Sequence, residues 1–315
     1  MTDPPLLITR EDVQGLIDWD ALYEATRVGL IAGDRATESS ALSGQVLYGE
    51  GSLHLKAASL DEEGTLSVKS NLRPNQGGVS GVLLAYDLQT QRLTGIIDAG
   101  LITALRTGAI GAVAAERLNS SSAVTVAVLG SGPVGMETAK ALLRVLNVVE
   151  VRFWSRNRSS AENAANSMAT DVKSVSFEKT AEAVTGANVV VTATPSSAPI
   201  LTAEGIAQDT LILAMGADTV GKRELHSSVL ESAEVYADVP SDALRVGESA
   251  HLSVDRRREV KAISELFKSY NQPKRSHPYL VFDSVGSSYV DAAVTALILT
   301  RARERGVGSP VHLRN

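Results

Sequence analysis

Three groups of residues in this sequence have types and spacings that can do chemistry. The first is a carboxylate, Asp218, in the run LILAMGADTVGKREL, with Lys222 four residues further on. The apolar stretch 211–215 ends in small residues and delivers that carboxylate at the exit of a strand. There it reads as a turn residue, as the cap of a helix beginning near 219–222, or as a group that gives and takes protons. The second group is a set of cations in apolar surroundings: Lys56 in LHLKAAS, Lys69 in LSVKSNLRPN and Arg106 in ITALRTGA. Such side chains stay out of buried segments unless an anion compensates them. Singly, each predicts an internal ion pair or a snorkelling stem; together, beside a nucleotide domain, they predict a site for a substrate carboxylate. The third group is Gly130-Ser131-Gly132-Pro133-Val134-Gly135.

That glycine run lies between a β-branched strand, TVAVLG, and a helix, GMETAKALLRVL, with a second strand, VEVRFW, close behind. Gly130 permits the tight turn, Gly132 lets a pyrophosphate approach the backbone, and Gly135 lets helix and strand pack closely. The helix N-terminus then offers free N–H groups to phosphates. A strand–helix–strand unit of about 30 residues is what the dinucleotide fingerprint requires, whereas a bare βα corner needs only the turn. At the end of the second strand an NAD site places a carboxylate for the ribose 2′-hydroxyl. Here Ser155, Arg156, Asn157 and Arg158 occupy the turn instead. A guanidinium pairs with a 2′-phosphate that a carboxylate would repel, so the residues predict NADP(H), with NAD(H) the alternative. The plainer reading is two solvated arginines at a strand end.

The rest of the composition narrows the class. The 315 residues contain no cysteine, which removes disulfide and thiolate chemistry. Net charge is −6 without a long basic run, and aromatics are 4%, so nucleic acid is not an expected partner. No apolar run approaches the roughly 20 residues of a membrane span, and the N-terminus lacks the pattern of a signal peptide. No membrane partner is therefore expected, and a cytoplasmic setting is. The five histidines show no metal-ligand spacing, so no metal is expected.

These groups need elements to position them. Runs SGQVLYG, SLHLKAAS, TLSVKSNL, GVLLAYD and RLTGIIDA, separated by glycine and acidic turns, predict a meandering sheet. LITALRTGAIGAVAAERL, apolar almost all round, predicts a buried connecting helix. From Ser122 strands alternate with helices, which predicts a doubly wound, mostly parallel sheet. SYVDAAVTALILTRARERG predicts a long amphipathic helix ending at Gly306. The expected class is α/β: a Rossmann-type doubly wound sheet at 119–286, plus a second, discontinuous α+β substrate and dimerisation domain at 1–118 and 287–315.

VKSNLRPN, GIIDAGLITALRTGAIGAVAAERL, VAVLGSGPVG, VVVTATPSSAPIL, MGADTVGKREL and FDSVG together resemble the ornithine cyclodeaminase/mu-crystallin family, in the family's order and from about residue 50 to 300. The resemblance implies hydride transfer at the Cα–N bond of a small amino or imino acid, and a homodimer. It implies that Lys69 and Arg106 hold the substrate carboxylate, that Asp218 is the acid/base with Lys69 the second catalytic residue, and that Val285 lies near the substrate. Thr107, Gly130, Gly132, Pro133, Val134, Thr194, Met215, Lys222 and Ser284 would lie near the cofactor. Cyclodeaminases carry an arginine on an early strand, where this chain has Gln45, and Lys56 is the candidate to replace it. Ser155-Arg156-Asn157 looks like the reductase and mu-crystallin branch. The leading expectation is an imine (ketimine) reductase or amino acid dehydrogenase. The alternatives are an ornithine cyclodeaminase-type lyase that expels ammonia, and an NADP(H)-binding protein without turnover.

Overall fold

The protein is described from a computed structural model, covering residues 4–34, 40–49, 51–73, 80–268 and 276–313. Two compact units divide the chain, residues 1–106 with 287–315, and residues 107–286. The division falls inside the helix Ala99–Leu118, whereas the sequence pattern places it at that helix's end. The helix is continuous there, so no turn signal marks the division.

The strands in chain order are β1 (Leu6–Ile8), β2 (Ala41–Tyr48), β3 (Gly51–Leu60), β4 (Thr65–Arg73), β5 (Ser80–Asp87) and β6 (Arg92–Asp98). β7 (Val124–Leu129), β8 (Val148–Trp154), β9 (Lys173–Phe177) and β10 (Val189–Thr192) follow. β11 (Leu211–Ala214), β12 (Ala233–Ala237), β13 (Lys261–Ala262), β14 (Tyr279–Asp283) and β15 (Ser309–Pro310) complete them.

In the first unit the sheet order is β15-β1-β6-β5-β4-β3-β2, with β2 to β6 an antiparallel meander. β4 inverts the usual alternation of a half-buried strand. Its covered face carries Thr65, Ser67, Lys69 and Asn71, and its other face carries Leu66, Val68 and Leu72. Register sets Lys56 directly opposite Lys69 and Ser43 opposite Lys56; Gln45 lies one row away, opposite His54. The helix Ser288–Arg305 packs on β3, β4 and β5 and against the helix Trp19–Asp34. A Cβ on Gly29 would lie 2.6 Å from Val290 Cα, so glycine is what permits that close helix approach. Residues 288–295 are buried on every side, so the first half of the expected amphipathic helix has no solvent face. Sheet on one side and helix on the other account for it. Gly306 ends the helix in the left-handed conformation at φ 63°.

Among the described residues of the second unit the eight strands are parallel, in the order β13-β12-β14-β11-β10-β7-β8-β9. β10 and β11, VVVT and LILA, are buried at every residue, as central strands covered on both faces must be. The chain runs outward from β7 through β8 to β9, then returns to β10 on the other side of β7, which makes β7/β10 the switch point. Leu129, Thr192, Ala214, Asp283 and Ala237 lie in register. The segments that follow them, beginning at Gly130, Ala193, Met215, Ser284 and Asp238, therefore leave from one edge of the sheet.

Candidate functional site

At the switch point a cleft of about 290 Å³ is lined by Gly130, Ser131, Gly132, Arg156, Thr194 and neighbours. Each glycine of the corner has its own steric reason. Gly130 sits at φ 119°, where a Cβ would lie 2.5 Å from Ala193 O. A Cβ on Gly135 would lie 2.0 Å from Gly130 O. A Cβ on Gly132 would meet nothing within 4 Å and would instead point into open space, the room that a pyrophosphate needs. Gly132 is also the N-cap of the helix Pro133–Val145, with no side-chain cap, so the first helical N–H groups lack an internal acceptor. These features fit a dinucleotide.

The two arginines after β8 separate in role. Arg158 is held by Glu162 at 2.7 Å and by Glu178. Arg156 is exposed and makes no hydrogen bond or ion pair among the described residues. Asn157 caps the helix Arg158–Met168, accepting from Ser159 N at 3.0 Å, so its carbonyl oxygen is already committed. Ser155 is half-buried beside them in the same cleft.

Asp218 follows β11 in an irregular loop and caps no helix: residues 219–222 form a turn closed by Lys222 N donating to Thr219 O at 3.1 Å, with Gly221 at φ 88°. Its carboxylate instead accepts from Lys222 Nζ at 2.8 Å, and Lys222 Nζ also donates to Gly216 O at 3.3 Å. The loop is closed by Glu224, fully buried, whose Oε2 accepts from Gly216 N (3.0 Å) and Thr192 Oγ1 (2.8 Å). Its Oε1 accepts from Thr194 N (2.6 Å) and Thr194 Oγ1 (2.7 Å). One carboxylate thus joins the end of β10, the end of β11 and the turn bearing Asp218 and Lys222. A side chain at Gly216 would strike it, since a Cβ there lies 2.4 Å from Glu224 Oε2.

Three more buried acids continue along this edge. Glu248 accepts from Glu224 N and Leu225 N at 2.5 and 3.2 Å. Asp283 accepts from Glu248 N, Ser249 N and Ser249 Oγ. Asp238 accepts from Ser284 Oγ (2.8 Å), Val285 N (3.2 Å) and Gly286 N (2.8 Å). Burial, then the neighbouring Asp283 charge, pushes Glu248 up to about 8. Burial also pushes Asp283 up to about 7. Ser284 and Met215 are buried at the same edge. Val285 packs its side chain with Ala237, Ala243 and Val246. Thr107, buried, lies in the helix Ala99–Leu118.

In the first unit Lys69 and Arg106 are buried together. Lys69 Nζ lies 2.5 Å from Asp291 Oδ2, and Arg106 Nε lies 2.9 Å from Asp291 Oδ1. Arg106 Nη1 is buried without a hydrogen-bond partner among the described residues. Asn71 Nδ2 donates to Thr103 Oγ1 at 3.0 Å beside them. Asp291 and Glu224 were not singled out in the sequence. The signal for Asp291 was present: it is the one acid in the apolar stretch SYVDAAVTALIL, and it invites the same question that Arg106 does. Among the described residues no group of three or more potential ligands could hold a metal, and no helix is long and apolar enough to cross a membrane.

Residues 9–306 match the family described as the ornithine cyclodeaminase/mu-crystallin family. The chain is 30% identical over 216 residues to the ketimine reductase mu-crystallin of Macropus fuliginosus, covering 69% of this chain and 67% of that one. It is 29% identical over 250 residues to the L-lysine cyclodeaminase of Streptomyces rapamycinicus, covering 77% and 71%. In three dimensions it is similar to an archaeal alanine dehydrogenase dimer with bound NAD: TM-score 0.88, 26% identity, 98% of this chain and 99% of that one.

Proposed function

This chain belongs to the ornithine cyclodeaminase/mu-crystallin family and is an enzyme of that family, and we propose that it is an NADP(H)-dependent imine reductase or amino acid dehydrogenase for a small α-imino or α-amino acid. The observation that carries this reading is the buried pair Lys69 and Arg106 against the single carboxylate of Asp291. Two basic side chains share one carboxylate, and Arg106 Nη1 has an unused donor among the described residues. A buried guanidinium wants a charged acceptor, and a substrate carboxylate is one.

The bound nicotinamide would give or take the hydride at Cα. The chain's own groups do the rest. Lys69 and Arg106, with Lys56 opposite Lys69, orient the carboxylate. Asp218, paired with Lys222, passes the proton that imine reduction delivers to nitrogen and amine oxidation removes. Gly132 and the uncapped helix start receive the pyrophosphate, and Arg156 receives the 2′-phosphate. Two copies associate through the apolar face of β2 to β5; that the archaeal alanine dehydrogenase is a dimer supports association, and the exposed apolar residues of that face support the place.

Cyclodeamination is the second reading, favoured by the Asp218–Lys222 pair and by the lysine cyclodeaminase relative. The test is an assay with NADPH and a panel of cyclic imines, and of α-keto acids with ammonia. The reduced-nicotinamide absorbance is expected to fall with at least one of them. Ammonia and proline formed from ornithine, with no net cofactor change, would replace reduction by cyclodeamination.

A further inference from the structure

Lys69 faces charge from three elements. Lys56 stands directly across from it on β3, Arg106 approaches from the helix Ala99–Leu118, and Asp291 from the helix Ser288–Arg305. On the other flank β5 presents Leu83, which is uncharged, and His54, two residues from Lys56, is engaged with Ser52 at 2.9 Å. Two of the three charges repel the ammonium. Asp291 divides its oxygens between the cations, Oδ2 at 2.5 Å to Lys69 and Oδ1 at 2.9 Å to Arg106, and is itself 1% exposed.

We infer that Asp291 is a positioning residue that keeps Lys69 cationic beside Arg106, so that a substrate carboxylate meets two buried positive charges rather than one. This rests on the reading that Lys69 and Arg106 receive the carboxylate, and it gives the C-terminal helix a part in substrate affinity. Asp291 is the one charge among those facing Lys69 that favours the ammonium form. Burial first, and then Arg106, drives the Lys69 amine well below its ordinary range, while Asp291 opposes both. Burial acts to raise Asp291, but Arg106, Lys69 and Lys56 outweigh it and hold the carboxyl below its usual range. The cations around it thus favour the ionised form of Asp291, which acts as their countercharge.

The sign of each perturbation follows. Removing the negative charge lets Lys69 lose its proton at lower pH; removing Arg106 lets Lys69 keep it to higher pH. NMR of protein labelled in its lysine side chains, with the Lys69 signal assigned through Lys69→Arg, reads that titration directly and without turnover. Asp291→Asn is expected to move it down by about one pH unit or more, and Arg106→Met to move it up. Calorimetric affinity for pyruvate, used as the carboxylate probe, should be lost at correspondingly lower pH in Asp291→Asn. An unmoved Lys69 titration in Asp291→Asn overturns the inference. So does a loss of pyruvate affinity equal at every pH, which is what a merely structural role gives. If Asp291→Asn does not fold, Asp291→Ser decides, and an unmoved Lys69 titration there overturns it. Lys69 shifts as stated, with no pyruvate binding even in the wild type, would support the role of Asp291 and overturn only the carboxylate reading.

Discussion

At the scale of single residues, position along the chain did not distinguish groups that the structure separates. Arg156 and Arg158 are two residues apart in the same turn, yet Arg158 is spent on Glu162 and Glu178 while Arg156 has no such partner among the described residues. Only a side chain without an internal acid has its charge to offer to a 2′-phosphate. Arg156→Ala is therefore expected to weaken NADPH about tenfold or more, and NADH less than about twofold, since a hydrogen bond to a charged group contributes about 1.5–3 kcal/mol. Fluorescence titration with the two cofactors measures this, and equal losses would remove the case for NADP(H). Asp218 illustrates the same point: helix cap and proton carrier were both open in sequence, and the turn at residues 219–222 removes the cap.

At the scale of elements, buried acids fasten the ends of β10, β11, β12 and β14. Glu224, Glu248, Asp283 and Asp238 accept chiefly from backbone N–H and hydroxyl groups. This makes the edge sensitive to alkaline pH. Glu248 holds its proton in the folded unit up to about 8, against an ordinary value of 4.5, and Asp283 up to about 7, against 3.8. The folded state thus binds more protons than the unfolded chain between those limits, so this stabilisation is complete at low pH and is lost as pH rises through about 7 and then about 8. Glu248→Gln has no proton to lose there. Its melting temperature relative to the wild type should rise as pH goes from about 6 to about 9. Differential scanning fluorimetry across that range checks it, and a difference that stays constant with pH would count against it. None of these acids was legible as a site residue, because each meets partners 23 to 48 residues away that only the parallel register brings to one edge.

At the scale of the whole molecule, the inverted face of the first sheet is the feature that asks for a partner. Leu42, Val46, Leu72 and Val82 are 60%, 55%, 41% and 41% exposed, and Val46, Leu53 and Leu72 lie in one cross-strand row. A contiguous exposed apolar face on a sheet marks an interaction surface. The proposed homodimer is thus tested by Val46→Lys combined with Leu72→Lys. Light scattering is expected to give a dimer mass for the wild type and a monomer mass for the variant; dimers in both would move the interface elsewhere.

What the sequence determined by itself was local. The glycine corner, the strand and helix succession and the missing ribose carboxylate are all readable from residues close together in the chain, and the proposed cofactor contacts of Gly130, Gly132 and Arg156 rest on them. The apolar strands VVVT and LILA likewise announce a sheet covered on both faces. Only the tertiary structure decided which charges meet. Lys69, Arg106 and Asp291 come from a strand and two helices spread over most of the chain, and Coulomb interactions in a buried site depend on distance in space, to which spacing in sequence is blind.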